Sequence, residues 1–177
     1  DARKRKFLED AMHQALENHE FVMYLQPKYS ISTCKMVGAE ALVRWQHPEK
    51  GLIPPNDFIP IFEENGFVIP LDEFMWEEAC KLLAEWQREG KEMLPISVNV
   101  SRRHLIDDYF VEVLNHLIEK YQIPKHYLEI EITETEQSKM QERGIALLKE
   151  NGYTLLMDDF GSGYSTLNML KAVSYTH

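Results

Sequence analysis

Apolar and polar residues change period several times along this chain. Over residues 4–20, KRKFLEDAMHQALENHE, the residues Phe7, Leu8, Ala11, Met12, Ala15 and Leu16 recur at the three- and four-residue steps of one helical face. Two strand-like runs follow, FVMYLQPKYS and KMVGAEALVRW, separated by a polar turn. PPNDFIPIFEENG predicts a short helix that Gly66 stops. LDEFMWEEACKLLAEWQREG predicts a longer one, with Asp72 near its start and Gly90 just past its end. Strands and helices then alternate: strand LPISVNV, a helix over about 108–121, strand YLEIEIT, a helix around 139–150 closed by Asn151 and Gly152, and strand YTLLMD, which turns through FGSG into YSTLNMLK. Such alternation implies a parallel sheet covered by helices. No low-complexity segment or internal linker interrupts it.

Within the strands a second pattern appears. Ile96, Val98 and Val100 share one face while Ser97, Asn99 and Ser101 share the other. Leu128, Ile130 and Ile132 alternate with Glu129, Glu131 and Thr133, and Val37, Ala39, Ala41 and Val43 alternate with Gly38, Glu40, Leu42 and Arg44. A parallel sheet is normally covered on both faces, so its strands should be almost continuously apolar. A half-exposed antiparallel sheet alternates too, but three such strands within a strand–helix repeat favour a (β/α) barrel. In a barrel the apolar faces meet outer helices, and polar faces turn inward near the carboxyl ends of the strands, where barrel enzymes place their chemistry. Glu40, Asn99, Glu131 and Asp158 then converge from four strands.

The segment YTLLMDDFGSG sharpens the picture, because a short apolar run stops at two adjacent carboxylates. Glu40, Glu131, Asp158 and Asp159 together bring a formal charge of −4 into one cavity. Like charges that close repel, and burying them unpaired costs several kcal/mol. Two divalent cations would neutralise them, and Asn99 adds a neutral oxygen. The donors are all hard oxygens, which favours Mg²⁺ or Mn²⁺ over Zn²⁺. Two-metal sites activate water and stabilise the leaving oxygen of a phosphoester, and Arg44 is placed to meet a phosphate. The spacing leaves a single-metal enzyme that abstracts a proton beside a carboxylate as another use of the same acids.

Composition narrows the partners. A chain of 177 residues, 44% of them hydrophobic, suits one domain with a real core. A net charge of −10 argues against nucleic-acid polymers and anionic membranes as general partners. The basic run RKRK at 3–6 reads as a solvated face at the start of a helix. No apolar run approaches the roughly 20 residues of a membrane span. No signal peptide is visible, and the chain opens inside a helix, so its true N-terminus is expected upstream. Cys34 and Cys80 lie far apart and read as reduced thiols of a cytoplasmic protein. The histidines show no metal-binding spacing, and His47 in WQHPEKG reads as part of a turn.

Four of these segments together resemble the EAL domains that hydrolyse cyclic di-GMP. GAEALVRWQHPEKGLIPPNDFIP contains Glu40-Ala41-Leu42, and SVNVSRRHL, LEIEITETE and LLMDDFGSGYSTL are similar to the next three family motifs, in order. The resemblance implies metal binding by Glu40, Asn99, Glu131 and Asp158, with Asp159 serving a second metal, and a catalytic role for Glu40, Asp158 and Asp159. It implies substrate contacts from Gln26, which stands in LQP where the family more often has Tyr before the Gln. Leu42 would pack on a guanine, Arg44 would hold a phosphate, and Pro54 and Pro55 would line the same groove. Glu134 would anchor the loop after the following strand. The residues alone keep other uses open: Asn99 as a helix cap, Arg44 as the partner of a neighbouring acid, Glu134 as a first-turn acid at a helix dipole. Glu129 shares the inward face but matches no family ligand.

A full barrel takes about 250 residues, and the resemblance fades after LNMLKA. The family would continue into a strand carrying a lysine, a strand ending in a catalytic glutamate and a Gly-Tyr-Leu-Phe segment, whereas VSYTH fits none of these. The expected architecture is therefore α/β, an incomplete TIM-like (β/α) barrel making up roughly the first two-thirds of an EAL domain. Residues 1–20 form an N-terminal linker helix, 21–171 the partial domain and 172–177 an unmatched tail. The expected activity of the parent is metal-dependent hydrolysis of cyclic di-GMP to linear pGpG, with Mg²⁺ or Mn²⁺, while the fragment alone is expected to be marginally stable and inactive. A degenerate domain that senses cyclic di-GMP without cutting it is the alternative, and a protein-interaction scaffold the third. A GGDEF or sensor domain is expected upstream, a homodimer is possible, and missing regions could tether the parent to a membrane.

Overall fold

The computed structural model describes residues 1–133, 139–158, 164–166 and 170–171, of which residues 133, 157, 158, 164–166 and 170–171 are described by their backbone alone. Helix α1 (Ala2–Glu17) leads into strands β1 (Phe21–Ser30), β2 (Met36–His47) and β3 (Gly51–Ile53), then helices α2 (Pro55–Asn65) and α3 (Val68–Arg88). Strand β4 (Ile96–Asn99), helix α4 (Tyr109–Tyr121), strand β5 (Leu128–Thr133), helix α5 (Lys139–Glu150) and strand β6 (Leu155–Asp158) follow. The short strands β7 (Tyr164–Thr166) and β8 (Leu170–Lys171) come last.

The sheet runs in the order β6-β5-β4-β2-β1-β7, with β3 paired to β2 and β8 to β1. Strands β2, β4, β5 and β6 are parallel to one another. Strand β1 is antiparallel to β2, and β7 and β8 pair antiparallel with β1. Helices fill the connections between the parallel strands, as short parallel crossovers require. The result is the TIM-barrel-like arrangement that the alternation predicts, opened by an antiparallel first hairpin.

The outer faces of the strands carry the main core. Ile96, Val98, Leu128, Ile130 and Ile132 are fully buried, against Trp76, Cys80 and Leu83 of α3, Leu114 of α4 and Leu148 of α5. Each such aliphatic side chain contributes about 1.5–3 kcal/mol by leaving water. A second cluster closes the end of the β1–β2 hairpin. Phe21 and Trp45 oppose each other in register with rings 4.8 Å apart. Phe58, Phe62 and Phe67 pack around them, and the Trp45 indole donates to Glu20 Oε1 at 3.0 Å. Leu8 and Ala15 of α1 complete this cluster. Ion pairs from Arg5 to Glu64 (2.6 Å) and from Lys4 to Asp57 (3.0 Å) join α1 to α2.

Several local features depart from the sequence expectation. Gly66, at φ 87°, ends α2 as expected, but the chain re-enters a helix at once, so α3 begins at Val68 and Asp72 falls in its second turn. The hydrophobic pattern does not mark the three-residue strand β3; Gly51, at φ 72°, makes the turn that lets it pair with the end of β2. His47 is the last residue of β2 and supports the turn that follows, its Nδ1 accepting from the amides of Glu49 and Lys50 at 3.1 Å each. Cys34 is exposed and Cys80 buried, both free. Among the described residues no helix is long and apolar enough to cross a membrane. The tail at 172–177 lies outside the described residues.

Leu8 provides a test of whether α1 belongs to the core. Leu8→Ala is expected to destabilise the protein by about 2–4 kcal/mol in urea unfolding, whereas a helix that merely leads into the domain would leave the midpoint unchanged.

Candidate functional site

The concave side of the sheet gathers the polar halves of the alternating strands. On β1, Met23 and Leu25 face the core, which turns Tyr24, Gln26 and Lys28 to the other side. The antiparallel register sets Gln26 opposite Glu40, Tyr24 opposite Leu42 and Lys28 opposite Gly38. The parallel registers then place Glu40 beside Ser97 and Asn99 beside Glu131. Glu40, Asn99 and Glu131 therefore meet from β2, β4 and β5, as the sequence alternation predicts. In the next strand Asp158 is in register with Thr133, one step past Glu131. The side chain of Asp158, and all of Asp159 and Glu134, lie outside the described residues.

The side chains that meet there touch. Asn99 Nδ2 donates to Glu40 Oε2 at 3.3 Å, so its amide serves this site while Ser101 caps the turn that follows. Lys28 reaches in from β1, its Nζ 2.9 Å from Ser97 Oγ and 3.1 Å from Glu131 Oε1, and Ser97 also donates to Glu131 Oε1 at 3.2 Å. Burial, reinforced by the like charge of Glu131, pushes the Glu40 carboxyl up to about 7. Burial also raises Glu129, which the nearby Lys28 partly offsets. Among the described residues no three His, Cys, Asp or Glu side chains form a complete metal-binding group. Glu40 and Glu131 with Asn99 are nevertheless a partial set of hard oxygen donors whose mutual repulsion a cation would relieve, so the residues present fit the group.

The end of β4 is held from behind. The Trp76 indole donates to the carbonyl of Asn99 at 3.0 Å. Asp72 Oδ2 accepts from the Ser101 amide at 3.1 Å and pairs with His104 Nε2 at 2.9 Å, and the His104 ring lies 4.7 Å from that of Trp76. From the other side the Val100 amide donates to the Glu131 carbonyl at 3.0 Å. Residues 99–101 are thus fixed by both faces of their backbone.

Beside Asn99 a cavity of about 230 Å³ is lined by Leu42, Arg44, Pro55, Asp72, Asn99 and Ser101, among others. Arg44 donates to the Val43 carbonyl and its guanidinium lies 5.7 Å from the centre of the Tyr24 ring. Pro54, expected in the same groove, lines a cleft shared with Phe7, Leu8 and Lys50, and it precedes α2 while Pro55 begins it. Lys28 of the site went unread in the sequence, and Ser97 was placed on the polar face without a role. Both share the inward parity of named residues, Gln26 and Asn99, and that parity was the signal available for them. The Asp72–His104 pair left none, because its partners are distant in sequence.

The fold and the site define a TIM-barrel-like domain with acids and an amide gathered at the carboxyl ends of its strands. The family model for the EAL domain matches residues 9–177, and the chain belongs to that family. It is 35% identical, over 92% of its length and 21% of the relative's, to the signaling protein YkoW of Bacillus subtilis. It is 32% identical, over 90% of its length and 24% of the relative's, to the bifunctional diguanylate cyclase/cyclic di-GMP phosphodiesterase MucR of Pseudomonas aeruginosa. Among solved structures it is similar to the PaMucR phosphodiesterase in complex with c-di-GMP, with a TM-score of 0.79 and 31% identity over 89% of this chain and 65% of that one. The chain thus spans about a quarter or less of the length of these two curated relatives.

The repulsion at Glu40 has a measurable consequence. The folded chain keeps the Glu40 proton up to about pH 7, while an unfolded glutamate releases it near 4.5. The contribution of Glu40 is therefore most favourable below about 4.5 and is lost as pH rises through 7. Glu40→Gln keeps an acceptor for Asn99 and removes the charge. In the absence of metal it is expected to raise stability at pH 8 by about 1–3 kcal/mol, with the gain vanishing near pH 4 in urea titrations.

Proposed function

We propose that these residues belong to a metal-dependent phosphodiesterase that opens cyclic di-GMP to linear pGpG, using Mg²⁺ or Mn²⁺ held by Glu40, Asn99, Glu131, Asp158 and Asp159. The observation that carries this reading is the meeting of Glu40, Asn99 and Glu131 at the carboxyl ends of β2, β4 and β5, in a chain similar to a phosphodiesterase solved with c-di-GMP. A pair of divalent cations at such a site supplies an activated water and neutralises charge on the leaving oxygen. The chain's own residues do the rest. Arg44, at the cavity wall, offers a planar pair of donors to a phosphate. Leu42 and Pro55 give an apolar surface for the face of a guanine, and the Gln26 amide, opposite Glu40, can hydrogen-bond a phosphate or ribose oxygen. Glu134 has the supporting part of holding the loop after β6. Water adds to phosphorus, the P–O3′ bond breaks as a proton from the water passes to O3′, and the single linear product carries a 5′-phosphate at one end and a 3′-hydroxyl at the other.

The direct test is incubation of the full-length parent with cyclic di-GMP and Mn²⁺, followed by chromatography of the nucleotide. Linear pGpG is expected from the unsubstituted parent. Glu40→Ala is expected to abolish it, and Arg44→Ala to weaken nucleotide binding about tenfold or more, the worth of one charge-assisted hydrogen bond. Saturable binding by the wild type without turnover would replace this reading with that of a cyclic di-GMP sensor.

A further inference from the structure

Among the described residues Lys28 is the cation at the centre of the acidic group, and its charge neither holds metal nor meets substrate in the reading above. It reaches Glu131 across two intervening strands, from β1 past β2 and β4 to β5. Neighbouring strands lie about 4.8 Å apart, so only the inward curvature of the sheet brings the two together. A gap in the wall makes the path. The residue opposite Lys28 on β2 is Gly38, and a side chain there would begin 2.9 Å from the Pro95 carbonyl oxygen. Nothing therefore projects from β2 where the lysine stem crosses it. The ion pair is well shielded, with side-chain exposures of 13% for Lys28 and 12% for Glu131.

We infer that Lys28 is a built-in counter-cation that competes with divalent metal for Glu131, neutralising the acidic group before metal enters and giving up that carboxylate when it does. This inference rests on the reading of the site as a metal centre. A shielded ion pair gains little stability over two apolar side chains of the same size, but removing one partner alone leaves the other charge buried and uncompensated. The presence of the lysine is explained by the acids: without a cation, Glu40 and Glu131 would face each other unrelieved. A divalent ion at Glu131 makes the ammonium a like charge at close range, and the two cannot share one carboxylate oxygen without repulsion. The structure also supplies a second position for the displaced ammonium. Glu129 lies on the same face of β5, two residues from Glu131 and within the electrostatic reach of Lys28, and it has no other role in the site. The side chain has only to swing from one carboxylate to the next along the strand.

The test measures Mn²⁺ binding by calorimetry on the wild type, Lys28→Met, Lys28→Arg and Glu129→Gln, together with the thermal midpoint of each without metal. Lys28→Met keeps the aliphatic stem and loses the charge; it is expected to bind Mn²⁺ about tenfold more tightly, while melting lower than the wild type without metal. Lys28→Arg, with a firmer two-pronged grip on Glu131, is expected to bind Mn²⁺ several-fold more weakly, which keeps the test decisive if the methionine variant does not fold. Glu129→Gln is expected to weaken Mn²⁺ binding by removing the second seat. Equal or weaker Mn²⁺ affinity in Lys28→Met, or unchanged affinity in Lys28→Arg, overturns the inference while leaving the metal centre intact. No Mn²⁺ binding by any of the four proteins overturns the metal centre and this inference together.

Discussion

Strands β2, β4 and β5 must satisfy opposite demands on their two faces. Their outer sides have to be dry, because helices α3, α4 and α5 lie directly on them. Their inner sides carry acids that cannot be dry without compensation. A flat sheet could not meet both, since a second layer of helices would press on the acids. Curling the sheet inward resolves the conflict. It leaves a concave space lined by the polar faces of the strands, and it brings residues of separate strands within hydrogen-bonding range. Ser97, Asn99, Glu40, Glu131 and Lys28 meet for the same reason that Ile96, Val98, Ile130 and Ile132 are buried.

Helix α3 connects these two environments. Its apolar stripe, through Trp76, Cys80 and Leu83, seals the outer face of the sheet. The same helix sends Asp72 and the Trp76 indole over the end of β4, where they hold the backbone on either side of Val100. Packing and positioning are therefore not separate properties of this helix. Trp76 contributes its ring to the core and its N–H to the carbonyl of the residue that faces Glu40.

Much of this arrangement was legible from residue order, because period-two alternation in a strand reports directly which side chains share a face. The strands FVMYLQPKYS and LEIEIT and the helices around 109–121 and 139–150 fall where their patterns put them, and Glu40, Asn99 and Glu131 converge as their parity requires. What escaped depends on contacts between distant segments. The start of α3 at Val68 follows from a tight Gly66–Phe67 turn that its hydrophobic period does not mark. Pro54 and Pro55, adjacent in sequence, part company, one preceding the helix and the other opening it. Lys28 was hidden for a different reason: a lysine in a strand is usually solvated, and only the closeness of Ser97 and Glu131 shows otherwise.

The packing of α1 has a mechanical side. Leu8 and Ala15 seat it among the aromatic rings beneath β1 and β2, and Arg5 and Lys4 tie it to α2. The first residue of α2, Pro55, is also part of the wall of the cavity beside Leu42 and Arg44. Helix α1 and the rim of that cavity are thus two sides of one neighbour, so the helix is a foundation of the groove as well as a cover for the aromatic cluster.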